Sequence, residues 1–183
     1  MMKNILKKVL VVLFAVILFT GCSCSLNDNK PEEAVETLFE KYRSKDENII
    51  EQLKDTIMNE TLTDDEQEKY QKLMEKQYES LGYVIKDTKQ EGDNATVTVE
   101  ITVLNYRDAA LKAEEELKNN PEKFNDDEGK MSDEKYMDYK IELMDKVSDT
   151  TTYTLDLSLT KENGMWKVDD LSSDDISKIH GLY

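Results

Sequence analysis

The stretch Thr96-Val97-Thr98-Val99-Glu100-Ile101-Thr102-Val103 decides the fold class of this chain. Its apolar residues occupy every second position, and polar residues occupy the positions between them. Successive side chains of a β-strand point to opposite faces, so this alternation is typical of a strand with one buried and one solvated face. Such half-buried strands belong mostly to antiparallel sheets, because parallel sheets are covered on both faces.

Three further strands are expected around this one. The segment 152–159 repeats the alternation, with Tyr153, Leu155, Leu157 and Leu159 on its apolar side. Tyr83–Gln90 precedes a polar turn at 91–94 and is predicted to pair with the first strand. Asn163-Gly164 is a strong signal for a tight hairpin, which leads into a short strand, Met165–Val168.

Helical patterns surround these strands. Apolar residues at helical spacing after Pro31 predict a helix over 31–44, and a shorter one follows near 49–57. Thr63-x-x-Glu66 is a capping box that predicts the start of a third helix, with Gly82 expected as its C-cap. A last short helix is expected from Ser173 onward.

The fold class is therefore α+β, with N-terminal helices packed on a curved, four-stranded antiparallel sheet. About forty residues of helical pattern lie between the second and third strands, and we expect residues 106–148 to form a helical-hairpin insert. Residues 31–183 are predicted to form one domain.

The first residues read as a targeting segment. Lys3, Lys7 and Lys8 precede an unbroken apolar run of 11 residues, Val9–Phe19, which suits a signal peptide and is too short for a membrane span. The run ends in Thr20-Gly21-Cys22, which resembles the bacterial lipobox apart from Phe19 in the place where Leu is usual. We expect a lipoprotein signal peptide over 1–21, a diacylglyceryl group on Cys22 and a flexible tether over 22–30. The resemblance implies a membrane partner reached through that lipid and a place on the extracytoplasmic face.

Other readings of this segment stay open. Cys22 could be an ordinary thiol behind a cleaved secretory signal, or the leader could be retained as an uncleaved anchor. Cys24 is a competing acceptor with a weaker match, and no role is assigned to it. A two-lobed solute receptor is disfavoured, because the 162 residues after the leader are too few for one.

Charge and cysteine content exclude several functions. The formal net charge is −16, and it becomes about −19 without the three lysines of the leader. Such acidity argues against a nucleic-acid partner, because nucleic-acid binding needs basic side chains that displace counterions. With two cysteines and one histidine, no zinc spacing is present, and we expect neither a metal nor a cofactor.

The domain also resembles small lipoproteins of low-GC Gram-positive bacteria with a cystatin-like, nuclear-transport-factor-2-like cone fold. The resemblance covers most of residues 31–183 and depends on Pro31-Glu32-Glu33-Ala34-Val35, the Thr-rich strand pair and the terminal stretch 159–170. It implies a cone of helices on a sheet, and it implies no activity, because this fold hosts both enzymes and binding modules.

Aromatic residues are the candidate ligand-binding groups. Tyr42, Tyr78, Tyr83 and Trp166 are expected near the helix–sheet interface, where they could line the mouth of a cone. The alternative is that these rings belong to the core, with their polar atoms at its edge.

Catalytic and cation-binding candidates are weaker. His180 is expected to be exposed or to cap a helix end, since it lies near the end of the sequence. Asp170 is the only acid whose strand parity points inward, and the alternative is that the strand has already ended there. The acidic loop 125–130 fails the EF-hand pattern; a solvated turn and a different calcium site both remain open.

The sequence therefore favours a non-catalytic binding or scaffolding module at the cell surface, whose partner is an envelope protein or a small ligand. The alternative is a cone-fold enzyme of the hydrolase, isomerase or dehydratase type, which needs a buried carboxylate that converges on a cavity.

Overall fold

The computed structural model describes residues 29–58 and 62–183. The predicted leader, Cys22 and Cys24 lie outside these residues. The elements run in the order α1 (Pro31–Arg43), α2 (Glu47–Met58), α3 (Asp64–Ser80), β1 (Gly82–Glu91), β2 (Asn94–Leu104), α4 (Tyr106–Asn119), a 3₁₀ turn (Pro121–Phe124), α5 (Asp133–Asp145), β3 (Thr150–Glu162), β4 (Met165–Val168) and α6 (Ser173–Ile179). The α+β class is confirmed.

The four strands form one open antiparallel sheet in the order β1-β2-β3-β4. The alternation that decided the fold class is confirmed, because Val97, Val99, Ile101 and Val103 are fully buried while Thr102 is exposed. The predicted hairpin at Asn163-Gly164 is confirmed as well. Both residues have positive φ angles, 53° and 83°, which the tight primed turns require.

Helices α1 and α3 cover the apolar face of the sheet. Val35, Phe39 and Met74 have no exposed surface in this layer. The predicted capping box is confirmed: Thr63 accepts the backbone N–H of Glu66, and the Glu66 carboxylate accepts the backbone N–H of Thr63.

The prediction that Gly82 caps α3 is wrong. The C-cap is Leu81, with an extended backbone, and Gly82 is already the first residue of β1. The chain turns directly from helix to strand, so it needs no left-handed residue at this point. Gly82 pairs with Thr102 on β2.

Residues 106–148, called here the connecting segment, join β2 to β3 and contain α4, the 3₁₀ turn and α5. Phe124 forms a small aromatic cluster with Tyr136 and Tyr139, at centroid distances of 5.6 and 5.4 Å. Helix α5 contacts α3, so the segment leans on the helical layer. Within residues 29–58 and 62–183, no helix is both long and apolar enough to span a bilayer.

Candidate functional site

The predicted aromatic site is partly assembled. The rings of Tyr42 and Tyr78 meet edge to face at 5.1 Å, and the ring of Tyr83 stacks on Phe39 at 4.9 Å. Tyr42 and Tyr78 are buried, and burial raises the pKa of Tyr42 to about 12 and also raises that of Tyr78. These two rings are packed against neighbouring side chains, which favours the core interpretation; a ligand-binding role for them stays a prediction.

Trp166 lies apart from these tyrosines. It belongs to β4 at one edge of the sheet, whereas Tyr83 belongs to β1 at the other. Trp166 is 4% exposed, and the Lys161 ammonium lies 5.6 Å from the centre of its ring. The structure therefore does not bring the four predicted residues together around one cavity.

The prediction that His180 is exposed or caps a helix end is confirmed in its second form, because His180 is the C-cap of α6. It is half-buried rather than exposed, and its Nε2 lies 2.9 Å from the Tyr78 hydroxyl. Burial lowers the pKa of His180 to about 4, so the ring is neutral at pH 7. We infer that this is a structural hydrogen bond, which ties the C-terminal segment to α3.

A buried junction next to this pair has no sequence signature. Gln77 is fully buried on α3; its side-chain amide donates to the Leu104 carbonyl at 3.0 Å, and its amide oxygen accepts the Leu104 N–H at 2.8 Å. Gly181 fits against the same atoms, with a φ of +70°. A Cβ there would lie 2.1 Å from the Leu104 carbonyl oxygen and 2.3 Å from Gln77 Nε2. The junction locks the end of β2 to α3 and to the C-terminal segment.

A groove of about 480 Å³ runs between α3 and α5. Leu73 and Ile141 are among its lining residues. Two ion pairs cross between the helices, Lys69 to Asp138 at 2.7 Å and Lys76 to Asp145 at 3.1 Å. Both pairs join residues that are 69 positions apart, so the two helices run parallel.

An apolar pocket of about 210 Å³ adjoins this groove and shares Ile141 with it. It lies where α2, α3 and α5 meet, and its lining includes Ile57, Leu62, Met137 and Met144. Methionine side chains adapt to irregular apolar partners, which suits a contact surface. Together, the groove and the pocket form what we call the helical face.

The acidic candidates do not form a site. β4 ends at Val168 and Asp170 is exposed beyond it, so the inward parity suggested by the sequence does not apply. In the acidic loop, one carboxylate oxygen of Asp126 accepts the backbone N–H groups of Glu128 and Lys130, both at 2.9 Å. Among the described residues, no group of three or more His, Cys, Asp or Glu is placed to hold a metal ion.

Comparison of the chain with protein-family models, curated proteins and solved structures gives no match.

Proposed function

We propose that this chain is a lipid-anchored extracytoplasmic protein whose domain binds or scaffolds an envelope protein. The observation that carries the proposal is the N-terminal pattern, in which a basic segment and the apolar run Val9–Phe19 lead to Thr20-Gly21-Cys22. One acyl chain holds a protein only transiently, whereas the two chains of a diacylglyceryl group give stable anchorage.

The finer fold belongs to the same proposal. We regard the domain as a cone of helices on a curved sheet, in which the connecting segment is an insert between the second and third strands. The helices α1 and α3 on one face of a four-stranded sheet are consistent with this interpretation.

A protein partner is favoured over a small ligand because apolar side chains are buried between the helices and the sheet. Phe39, Met74 and Leu155 have no exposed surface there. The cavities described above lie instead on the helical face, where charged side chains surround apolar ones. Protein-binding surfaces commonly combine an apolar centre with a polar rim.

The enzyme alternative gains no support from the acids that line the groove. Asp138, Glu142 and Asp145 have side chains that are 44, 64 and 67% exposed, and each is paired with a lysine. A general acid needs burial in apolar surroundings, which these carboxylates lack. Glu66 is buried, but it serves the cap of α3.

The anchor is tested by metabolic labelling with a radioactive lipid precursor in cells that express the full chain. We expect label in the wild type and in Cys24→Ala, and none in Cys22→Ala. An unlabelled wild type would contradict the anchor, and full labelling of Cys22→Ala would contradict the assigned residue.

The binding face is tested by photo-crosslinking in the same cells. A crosslinker at Lys72 on the helical face is compared with one at Lys86 on β1, because both lysines are exposed and each is paired with a glutamate. Position 86 is therefore the control. We expect a discrete protein adduct from position 72 only. Equal adducts from both positions would argue against the helical face as the contact surface.

A further inference from the structure

Asn29 fixes the point at which the chain enters the domain. Its side-chain amide donates to the Trp166 carbonyl at 3.2 Å, and its amide oxygen accepts the Trp166 backbone N–H at 2.7 Å. The carboxamide therefore pairs with β4 as a residue of a neighbouring strand would. Asn29 belongs to the predicted tether over 22–30, so the flexible part of that tether ends before Asn29, which is bonded to the sheet.

This entry point lies at one end of the sheet. Trp166 pairs with Lys161, and the Lys161 backbone N–H donates to the carbonyl of Asp93 in the β1–β2 turn at 2.8 Å. We call this end, which contains the turns 91–94 and 162–165, the hairpin end. At the opposite end, Leu104 pairs with Thr150, and the connecting segment leaves and rejoins the sheet there.

The reach of the chain limits how the domain can stand on a membrane. Cys22 and Asn29 are seven residues apart, so even a fully extended chain spans at most about 24 Å. The 11 residues of β2 span about 33 Å. If the opposite end rested on the membrane, the entry point would lie beyond the reach of a lipid on Cys22.

The distribution of charge also favours an orientation in which the hairpin end faces the membrane. The strand ends 89–94 and 160–167 carry three lysines and three carboxylates, so their net charge is zero. The connecting segment carries eight basic and thirteen acidic side chains, for a net charge of −5. An anionic lipid surface attracts basic segments and repels acidic ones within roughly a Debye length, which is about 10 Å.

We propose that the short chain between Cys22 and Asn29 holds the hairpin end against the lipid surface and presents the connecting segment and the helical face away from it. The inference rests on the proposed anchor at Cys22. The membrane-facing surface is then the pair of hairpin turns, and a protein partner binds the domain on the side that faces away from the membrane.

Two positions on β3 measure this orientation. Ser158 and Thr152 are both exposed on the uncovered face of the sheet, pair with Thr96 and Thr102, and lie about 20 Å apart along the strand. Ser158→Cys or Thr152→Cys is introduced into the full-length chain that also carries Cys24→Ser. The introduced cysteine is labelled with a donor dye. The lipid-bearing protein is reconstituted in phosphatidylglycerol–phosphatidylethanolamine vesicles that contain a headgroup-labelled acceptor.

We expect energy transfer to be several-fold more efficient from position 158 than from position 152. Equal transfer would overturn the proposal in favour of a sheet that lies flat, and stronger transfer from position 152 would overturn it outright. A flexible Gly-Ser segment of about 20 residues inserted after Ser25 should reduce the difference. A difference that this insertion leaves unchanged would contradict the role of the short tether.

Mass spectrometry of the purified protein separates the two proposals. If Cys22 carries no diacylglyceryl group, the anchor fails and this inference fails with it. If the group is present and the two dyes report equal transfer, only the orientation fails.

Discussion

The helix–sheet body and the connecting segment are held in different ways. In the body, the contact between helices and sheet is made by fully buried side chains such as Val35, Phe39 and Leu155. Between α5 and α3, the contact includes the ion pairs Lys69–Asp138 and Lys76–Asp145, whose side chains are 42–67% exposed. Exposed ion pairs contribute little to stability, so we expect these pairs to add less to the free energy of folding than the buried side chains do.

The largest difference in stability is expected when one apolar side chain is removed from each region. Leu155→Ala deletes a fully buried side chain in the sheet, and we expect it to lower the free energy of unfolding by about 4 kcal/mol. Leu111→Ala on α4 removes a side chain that is 49% exposed, and should cost about 0.5 kcal/mol. Urea denaturation of both variants checks this, and similar losses would show that the two regions are equally packed.

The junction at the end of β2 gives the next largest effect. In Gly181→Ala, the new Cβ meets the Leu104 carbonyl and Gln77, so we expect a loss of about 3 kcal/mol. Gly129→Ala in the connecting segment has a similar positive φ, +81°, but open space around it, and should cost about 1 kcal/mol. Equal losses in urea denaturation would mean that backbone strain alone, and not the contact, matters at position 181.

His180 should make the stability of the domain depend on pH. Its native pKa of about 4 lies below the value near 6.5 of an unfolded chain, so the unfolded state takes up the proton first as the pH falls. The stabilisation is therefore complete above the unfolded pKa, and about 2 kcal/mol of it is lost between pH 7 and pH 5. His180→Gln should lose less over the same range in urea denaturation, and identical curves would refute the burial of a neutral ring.

The smallest effect is expected for the ion pairs of the helical face. Lys69→Met, Asp138→Asn and the double variant form a thermodynamic cycle whose coupling energy we expect to be small and to vanish in high salt. Thermal melts at low and high salt measure it. A large coupling energy that does not change with salt would show that this ion pair stabilises the fold as strongly as a buried contact does.

Much of the fold could be predicted from local sequence patterns. The alternation over 96–103 predicts β2 and its buried side, Asn163-Gly164 predicts the tight turn, and Thr63-x-x-Glu66 predicts the start of α3. Each of these signals acts between neighbours in the chain, where spacing and turn chemistry suffice. Gly82 failed as a C-cap because the strand that begins there is stabilised by pairing with β2, which local rules do not include.

The candidate site was less predictable because its parts are distant in sequence. Gln77 reads as one more polar residue on a polar helix, and nothing local shows that it bonds to Leu104. His180 was expected to be exposed or to cap a helix end, and it does cap α6. Its half-buried position and its hydrogen bond to Tyr78, 102 residues away, could not be predicted from its neighbours in the chain. The pairing of α3 with α5 likewise depends on residues 69 positions apart.

Local sequence patterns were enough to predict the α+β class, the strand faces and the tight turn, and they carry the expectation of a lipid on Cys22. These follow from periodicity and short motifs, which fix backbone conformation within a few residues. Packing between distant elements was needed to show that Tyr42, Tyr78 and Trp166 are core side chains, that Asn29 bonds to Trp166, and that a groove and an apolar pocket lie on the helical face. Burial and long-range hydrogen bonds depend on how the elements pack, and that packing is a property of the whole chain.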